Sequence, residues 1–222
     1  MSDLPQLTGP SSGPAGGRTP RHLILLLHGV GADGNDLIGL APYFARVLPD
    51  AKFVSPNAPF PYDMAPMGYQ WFSLQERTEE AMLDGARMAR PILDRFIDEQ
   101  MAALGLGPAD TALVGFSQGT MMSLFAGLRR DQPVAGILGY SGRLVGADIL
   151  ADEISVRPPV TLINGDQDEL IPASVQPAAV NALKDAGIEV EGHIRPGLGH
   201  SIDPVGIELG CEFLARVFAD HG

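Results

Sequence analysis

Six short apolar runs punctuate the chain, at residues 23–27, 52–55, 111–115, 134–139, 160–163 and 188–194. Between them lie longer amphipathic stretches. The middle four runs lack strict polar alternation, the pattern of strands covered on both faces of a parallel sheet. Helices are predicted over 35–48, 78–104, 118–129, 173–186 and 205–219. The second has apolar residues at 82, 86, 89, 93, 96 and 101, with Pro91 expected to kink it. The last opens with Asp203 as N-cap and Pro204 in the first helical position. Strands alternating with helices predict an open α/β sandwich, a mostly parallel sheet with helices on both faces.

Residues 9–17 read Gly-Pro-Ser-Ser-Gly-Pro-Ala-Gly-Gly, with nothing apolar enough to offset the entropy of ordering them. Residues 1–20 are therefore expected to form a flexible tail, and 21–222 one domain. A chain of 222 residues can bury roughly 70–75% of its unfolded surface in one core. No internal repeat or second linker divides it.

The apolar fraction of 45% excludes a disordered or collagen-like chain, and a single cysteine excludes a disulfide scaffold. A net charge of −12 argues against nucleic-acid binding, because an anionic body repels phosphate. No run approaches the ~20 apolar residues that span a bilayer, so stable membrane insertion is not expected. With no export signal at its start and one thiol, the chain is expected to be cytoplasmic.

Two motifs compete for the chemistry. Gly29-Val30-Gly31-Ala32-Asp33-Gly34 fits the dinucleotide fingerprint, but residues 52–57 lack the ribose-binding acid due about 20 positions later. The better reading is a glycine turn whose backbone N–H groups face a reacting oxygen. Gly115-Phe116-Ser117-Gln118-Gly119 is G-x-S-x-G between an apolar strand and a helix, where a nucleophile elbow must lie. A serine at its ordinary pKa is a poor nucleophile, so an imidazole must take its proton and a carboxylate must orient that imidazole. Asn164-Gly165-Asp166-Gln167-Asp168 and Gly197-Leu198-Gly199-His200 supply both in the required order, each after an apolar run. Asp168 leads Asp166, which would brace the turn, and Glu169 comes third. His200 is the expected base. His28 is expected to hold the glycine turn, and His22, His193 and His221 to be structural or solvated. Cys211 shares a helical face with Ile207, Leu214 and Phe218, so burial is expected. Ser141 ends the next strand without the elbow's second glycine. Met64, Met67, Trp71 and Phe72 lie in a Pro-rich segment that reads either as core or as a wall of the substrate pocket. A role in the pocket is the expectation for all four.

The pattern resembles the phospholipase/carboxylesterase family of small α/β-hydrolases, which includes acyl-protein thioesterases. It does so from about residue 21 onward, through the residues 27–34, Ser55-Pro56-Asn57-Ala58-Pro59, Trp71-Phe72, the elbow, and the Asp168 and His200 loops. The resemblance implies an α/β-hydrolase fold and a triad of Ser117, Asp168 and His200. The N–H groups of Val30 and Gln118 would form the oxyanion hole. It implies hydrolysis of short- to medium-chain acyl esters, with thioesters and lysophospholipids as further substrates, through an acyl-Ser117 intermediate and without metal or cofactor. An acyl-protein thioesterase is one alternative and a catalytically silent binding protein another. The partners expected are a small ester and, optionally, a second copy of the chain. Thr120, where a further glycine is common, and the 64–67 segment depart from the family pattern.

Overall fold

The structure, a computed structural model, describes residues 4–219. Its strands are β1 (Ser11–Ser12), β2 (His22–Leu27), β3 (Ala51–Val54), β4 (Phe60–Pro61), β5 (Tyr69–Gln70), β6 (Thr111–Phe116), β7 (Gly136–Tyr140), β8 (Val160–Gly165) and β9 (Val190–Arg195). Its α-helices are α1 (Gly34–Ile38), α2 (Ala41–Phe44), α3 (Glu79–Leu104), α4 (Gln118–Gly127), α5 (Leu150–Glu153), α6 (Val175–Asp185) and α7 (Pro204–Ala219). Seven strands form one sheet in the order β1-β3-β2-β6-β7-β8-β9, parallel throughout except for β1. β4 and β5 form a separate antiparallel hairpin.

Each predicted apolar run contributes a strand, and the sheet order explains its pattern. β2 lies between β3 and β6, so Leu23, Leu25 and Leu27 enter one core while Ile24 and Leu26 enter the core on the other face. This is the two-residue period of a strand in a setting where both faces are apolar. β9 lies at an edge, and after the buried Val190 its residues are partly or fully exposed. The first core holds α3, α4 and α6 side chains, and the second holds Phe44 of α2 with Cys211, Phe213, Leu214 and Phe218 of α7. The Cys211 thiol is buried, as its helical face predicts.

The helices differ from expectation in two places, at the first stretch and at α4. The stretch 35–48 divides into α1 and α2, because Gly39 favours a break and Pro42 supplies no N–H to the ladder. α3 runs without interruption through Pro91, whose side chain is exposed, so water can reach the carbonyl that proline leaves unpaired. α4 is buried on every side, although its sequence includes Gln118, Thr120 and Ser123. The hydroxyls are satisfied internally: Thr120 Oγ1 donates between the carbonyls of Gly115 and Tyr140, and Ser123 Oγ donates to Gly119 O.

Residues 4–14 correct the expectation of a flexible tail. Leu7 is buried, β1 pairs with β3, and the Arg95 guanidinium holds the carbonyls of Leu4 and Pro5. A segment poor in apolar residues is ordered here because its backbone completes an exposed strand edge, where unpaired N–H and C=O groups would otherwise face water. Among the described residues no helix is long and apolar enough to cross a membrane.

Candidate active site

The sheet delivers the sequence-predicted residues to its carboxyl edge, where open α/β sheets place their sites. Ser117 lies between β6 and α4 with φ 55° and ψ −117°, a strained conformation for a residue with a Cβ. Its N–H donates to Tyr140 O on β7 at 2.9 Å. The flanking glycines are required by contact. A Cβ at Gly115 would lie 2.4 Å from the carbonyl carbon of Gly119, and one at Gly119 would lie 1.7 Å from Leu27 O. The elbow therefore presses directly on the backbone of β2, and no side chain fits in either gap.

Asp168 and His200 meet across two loops. His200 Nδ1 lies 2.8 Å from Asp168 Oδ2, and the other carboxylate oxygen accepts the N–H groups of Leu170 at 2.9 Å and Ile171 at 2.8 Å. Burial opposes the charge on Asp168, but the Ile171 N–H, the His200 ring and the Leu170 N–H together outweigh it and hold the carboxyl below its ordinary value. With Nδ1 facing the carboxylate, Nε2 is the nitrogen free to exchange a proton. The imidazole also tilts against the Phe116 ring at 4.9 Å between centroids, and Phe116 immediately precedes Ser117.

The neighbouring candidates have other tasks. Asp166 is exposed and accepts the Gly197 N–H at 2.7 Å, bracing the two loops as expected, while Glu169 is exposed. Asp203 accepts the Gly206 N–H at 2.7 Å as the cap of α7 and pairs with Arg195. His193 is partly exposed beside Glu191, and His221 lies outside the described residues. Ser141 has φ 44° and is wholly buried, with no partner for its hydroxyl among the described residues.

His28 is fully buried and holds the glycine turn, as expected. Its Nε2 accepts the Ala58 N–H at 2.9 Å, so Nδ1 carries the proton and donates to Gly29 O at 2.7 Å. Burial lowers its pKa, favouring this neutral form. The N–H of Val30 on that turn and of Gln118 after the nucleophile have no protein acceptor among the described residues. Both are available to a ligand oxygen.

Trp71 and Phe72 correct the pocket expectation. Both are 0% exposed within the first core, so neither can touch a substrate in this structure. They act as a roof on the elbow: Gln118 Oε1 accepts the Trp71 N–H at 2.9 Å, Gln118 Nε2 donates to Phe72 O at 2.8 Å, and the Trp71 indole donates to His28 O at 3.0 Å. Met64 and Met67, between β4 and β5, are by contrast exposed. A cleft of about 330 Å³, not anticipated from the residue pattern, opens beside His200 and is bordered by Leu37, Leu40, Phe116 and Ile202. Its only signal in the sequence is a pair of leucines three apart shortly after the glycine turn.

A mostly parallel sheet carrying a strained serine after its central strand, and an acid–imidazole pair after later strands, defines the class of α/β-hydrolase-fold esterases. The phospholipase/carboxylesterase family matches residues 14–218, and the chain belongs to it. Among relatives, Esterase YpfH of Escherichia coli (strain K12) is 30% identical over 90% of this chain and 85% of its own length. Acyl-protein thioesterase 1 of Emericella nidulans is 29% identical over 90% and 92%. The crystal structure of esterase PE8 superposes with a TM-score of 0.91 at 42% identity, covering 96% of this chain and 99% of that one.

Proposed function

We propose that the chain hydrolyses small carboxylic esters by two-step acyl transfer through Ser117. The observation that carries this reading is the Asp168–His200 pair, oriented with Nε2 free, packed against the residue that precedes the strained serine. Ser117 Oγ attacks the carbonyl carbon as His200 Nε2 takes its proton, and the oxyanion is held by the N–H groups of Val30 and Gln118. His200 then gives the proton to the departing alcohol. Water, deprotonated by the same nitrogen, attacks the acyl-enzyme and releases the acid and free Ser117. Asp168 stays ionised and stabilises the imidazolium. The mechanism uses no metal and no cofactor.

Acyl groups of short to medium length are the proposed substrates, with the apolar side chains bordering the cleft beside His200 and the exposed Met64 and Met67 as the candidates for their contact. Thioesters and lysophospholipids share the reacting carbonyl and fall within the same chemistry. The acidic net charge supports a protein that does not bind nucleic acid. We assign it to the cytoplasm, as a monomer or homodimer. A panel of aryl esters and acyl thioesters of increasing acyl length tests the reading, together with fluorophosphonate labelling read by mass spectrometry. Turnover with a single adduct on Ser117 is expected. Preference for long-chain thioesters would favour the thioesterase reading, and absence of both adduct and turnover would leave a silent binding protein.

A further inference from the structure

The segment Ser55-Pro56-Asn57-Ala58-Pro59 has no part in the acyl-transfer steps, yet it joins several pieces of the site's framework. Ser55 Oγ donates to Leu26 O at 3.0 Å, fixing the segment to the end of β2. Asn57 Oδ1 accepts the Gly34 N–H at 2.8 Å, and the Ala58 N–H donates to His28 Nε2. Both ends of the glycine turn 29–34 are thus held by consecutive residues, one through Gly34 and one through His28 and Gly29 O.

The other side of the same segment carries the N-terminal strap. Thr8 O accepts the Asn57 N–H at 2.9 Å, and Pro10 O accepts the Ser55 N–H at 3.0 Å. The layers touch at backbone distance: a Cβ at Gly9 would lie 2.1 Å from Ser55 O, and a Cβ at Gly34 would lie 2.0 Å from that oxygen and 2.7 Å from Pro10 Cδ. Strap, segment and turn are thus in direct backbone contact, while the middle of the turn is tied separately to β5, where the Gly31 N–H donates to Tyr69 O and the Tyr69 N–H donates to Ala32 O, each at 2.8 Å.

We propose that Asn57, braced from behind by residues 4–12, is a positioning residue that holds the glycine turn so that the Val30 N–H faces the developing oxyanion. This role rests on the acyl-transfer reading of the site. A preorganised donor is effective because it is already aimed when charge develops, so a turn released from Asn57 loses transition-state stabilisation while ground-state binding changes little. Losing one such donor outright costs about 10²–10³ in kcat, so a donor that remains but is loosely held is expected to cost about tenfold to a hundredfold.

The test uses the full chain. Asn57→Leu removes the acceptor and should lower kcat by about tenfold or more with KM changed less than about threefold. Asn57→Asp keeps an acceptor oxygen toward Gly34 and should retain most of the activity. Gly9→Val, far from the reacting atoms, expels the strap and should lower kcat in the same direction. It carries the test if Asn57→Leu fails to fold by circular dichroism. Folded Asn57→Leu and Gly9→Val proteins with unchanged kcat overturn the proposal. So does an Asn57→Asp protein as impaired as Asn57→Leu, which would make the role one of packing, or an effect confined to KM. Fluorophosphonate treatment of the unsubstituted protein separates the two levels. Without an adduct on Ser117 the acyl-transfer reading itself fails; with one, unchanged variants defeat only the proposal about Asn57.

Discussion

The ends of β6 and β7 are neighbours in register, with Phe116 opposite Tyr140, and each delivers a serine with positive φ. Only one end is built as a reaction centre. After β6, glycines on both sides of Ser117 let the backbone double back and α4 begins at once, leaving the Gln118 N–H open and the serine 8% exposed. After β7 the chain passes through Ser141 into a loop, and its hydroxyl is sealed at 0% exposure without a partner among the described residues. Backbone strain at a strand end is therefore common to both. What distinguishes them is access, a helix N-terminus and an imidazole held by a carboxylate.

The largest expected effect comes from removing the nucleophile at the first of these ends. Ser117→Ala should reduce kcat by at least about 10⁴-fold while leaving the circular dichroism spectrum intact, because a lone triad member sustains little of the chemistry. A fluorophosphonate adduct on Ser141 instead would invert the comparison.

The same contrast recurs one strand further on, between a buried and an exposed carboxylate. Asp168→Asn should cost about 10⁴-fold in kcat, since only this acid orients His200. Asp166→Asn should cost no more than about tenfold, the scale of one weakened turn hydrogen bond. Equal losses would mean that bracing the loop matters as much as orienting the ring.

Trp71→Ala probes the roof that is clamped to Gln118 at the β6 end. Removing a fully buried tryptophan should destabilise the fold by about 3–5 kcal/mol in urea titrations. A variant with native stability and altered acyl-length selectivity would return Trp71 to the pocket wall.

Acid titration gives a smaller effect. The Asp168 carboxyl is held below its ordinary value of 3.8, so the unfolded chain binds its proton first on acidification. The resulting stability is complete above about pH 3.8 and is lost as pH falls through the lower native value. Asp168→Asn should lack that step in acid denaturation curves; an identical step in both proteins would assign it to other carboxylates.

Least should follow from Ser141→Ala. Deleting a buried hydroxyl that has no partner is expected to change stability by no more than about 1 kcal/mol, and in the favourable direction, with kcat within about twofold. A large loss of kcat would show that the hydroxyl serves the site.

Much of this protein is legible in its sequence because the decisive constraints there are local. An apolar run bounded by turns must bury itself, so the hydrophobic pattern alone places the six parallel strands of the sheet. A nucleophile elbow admits only glycine two residues either side of its serine, as the backbone contacts at Gly115 and Gly119 bear out, so Ser117 stands out from Ser141 by spacing alone. The tertiary structure decided what depends on neighbours distant in sequence. It buried Trp71 and Phe72 by clamping them to Gln118, brought His200 to Asp168 rather than Asp166, and opened a cleft beside Leu37 and Leu40. It also turned a glycine- and proline-rich beginning into a strap joined to the glycine turn through Asn57. Thr8 and Pro10 make that connection with carbonyl oxygens, which every residue carries, so no choice of side chain records it.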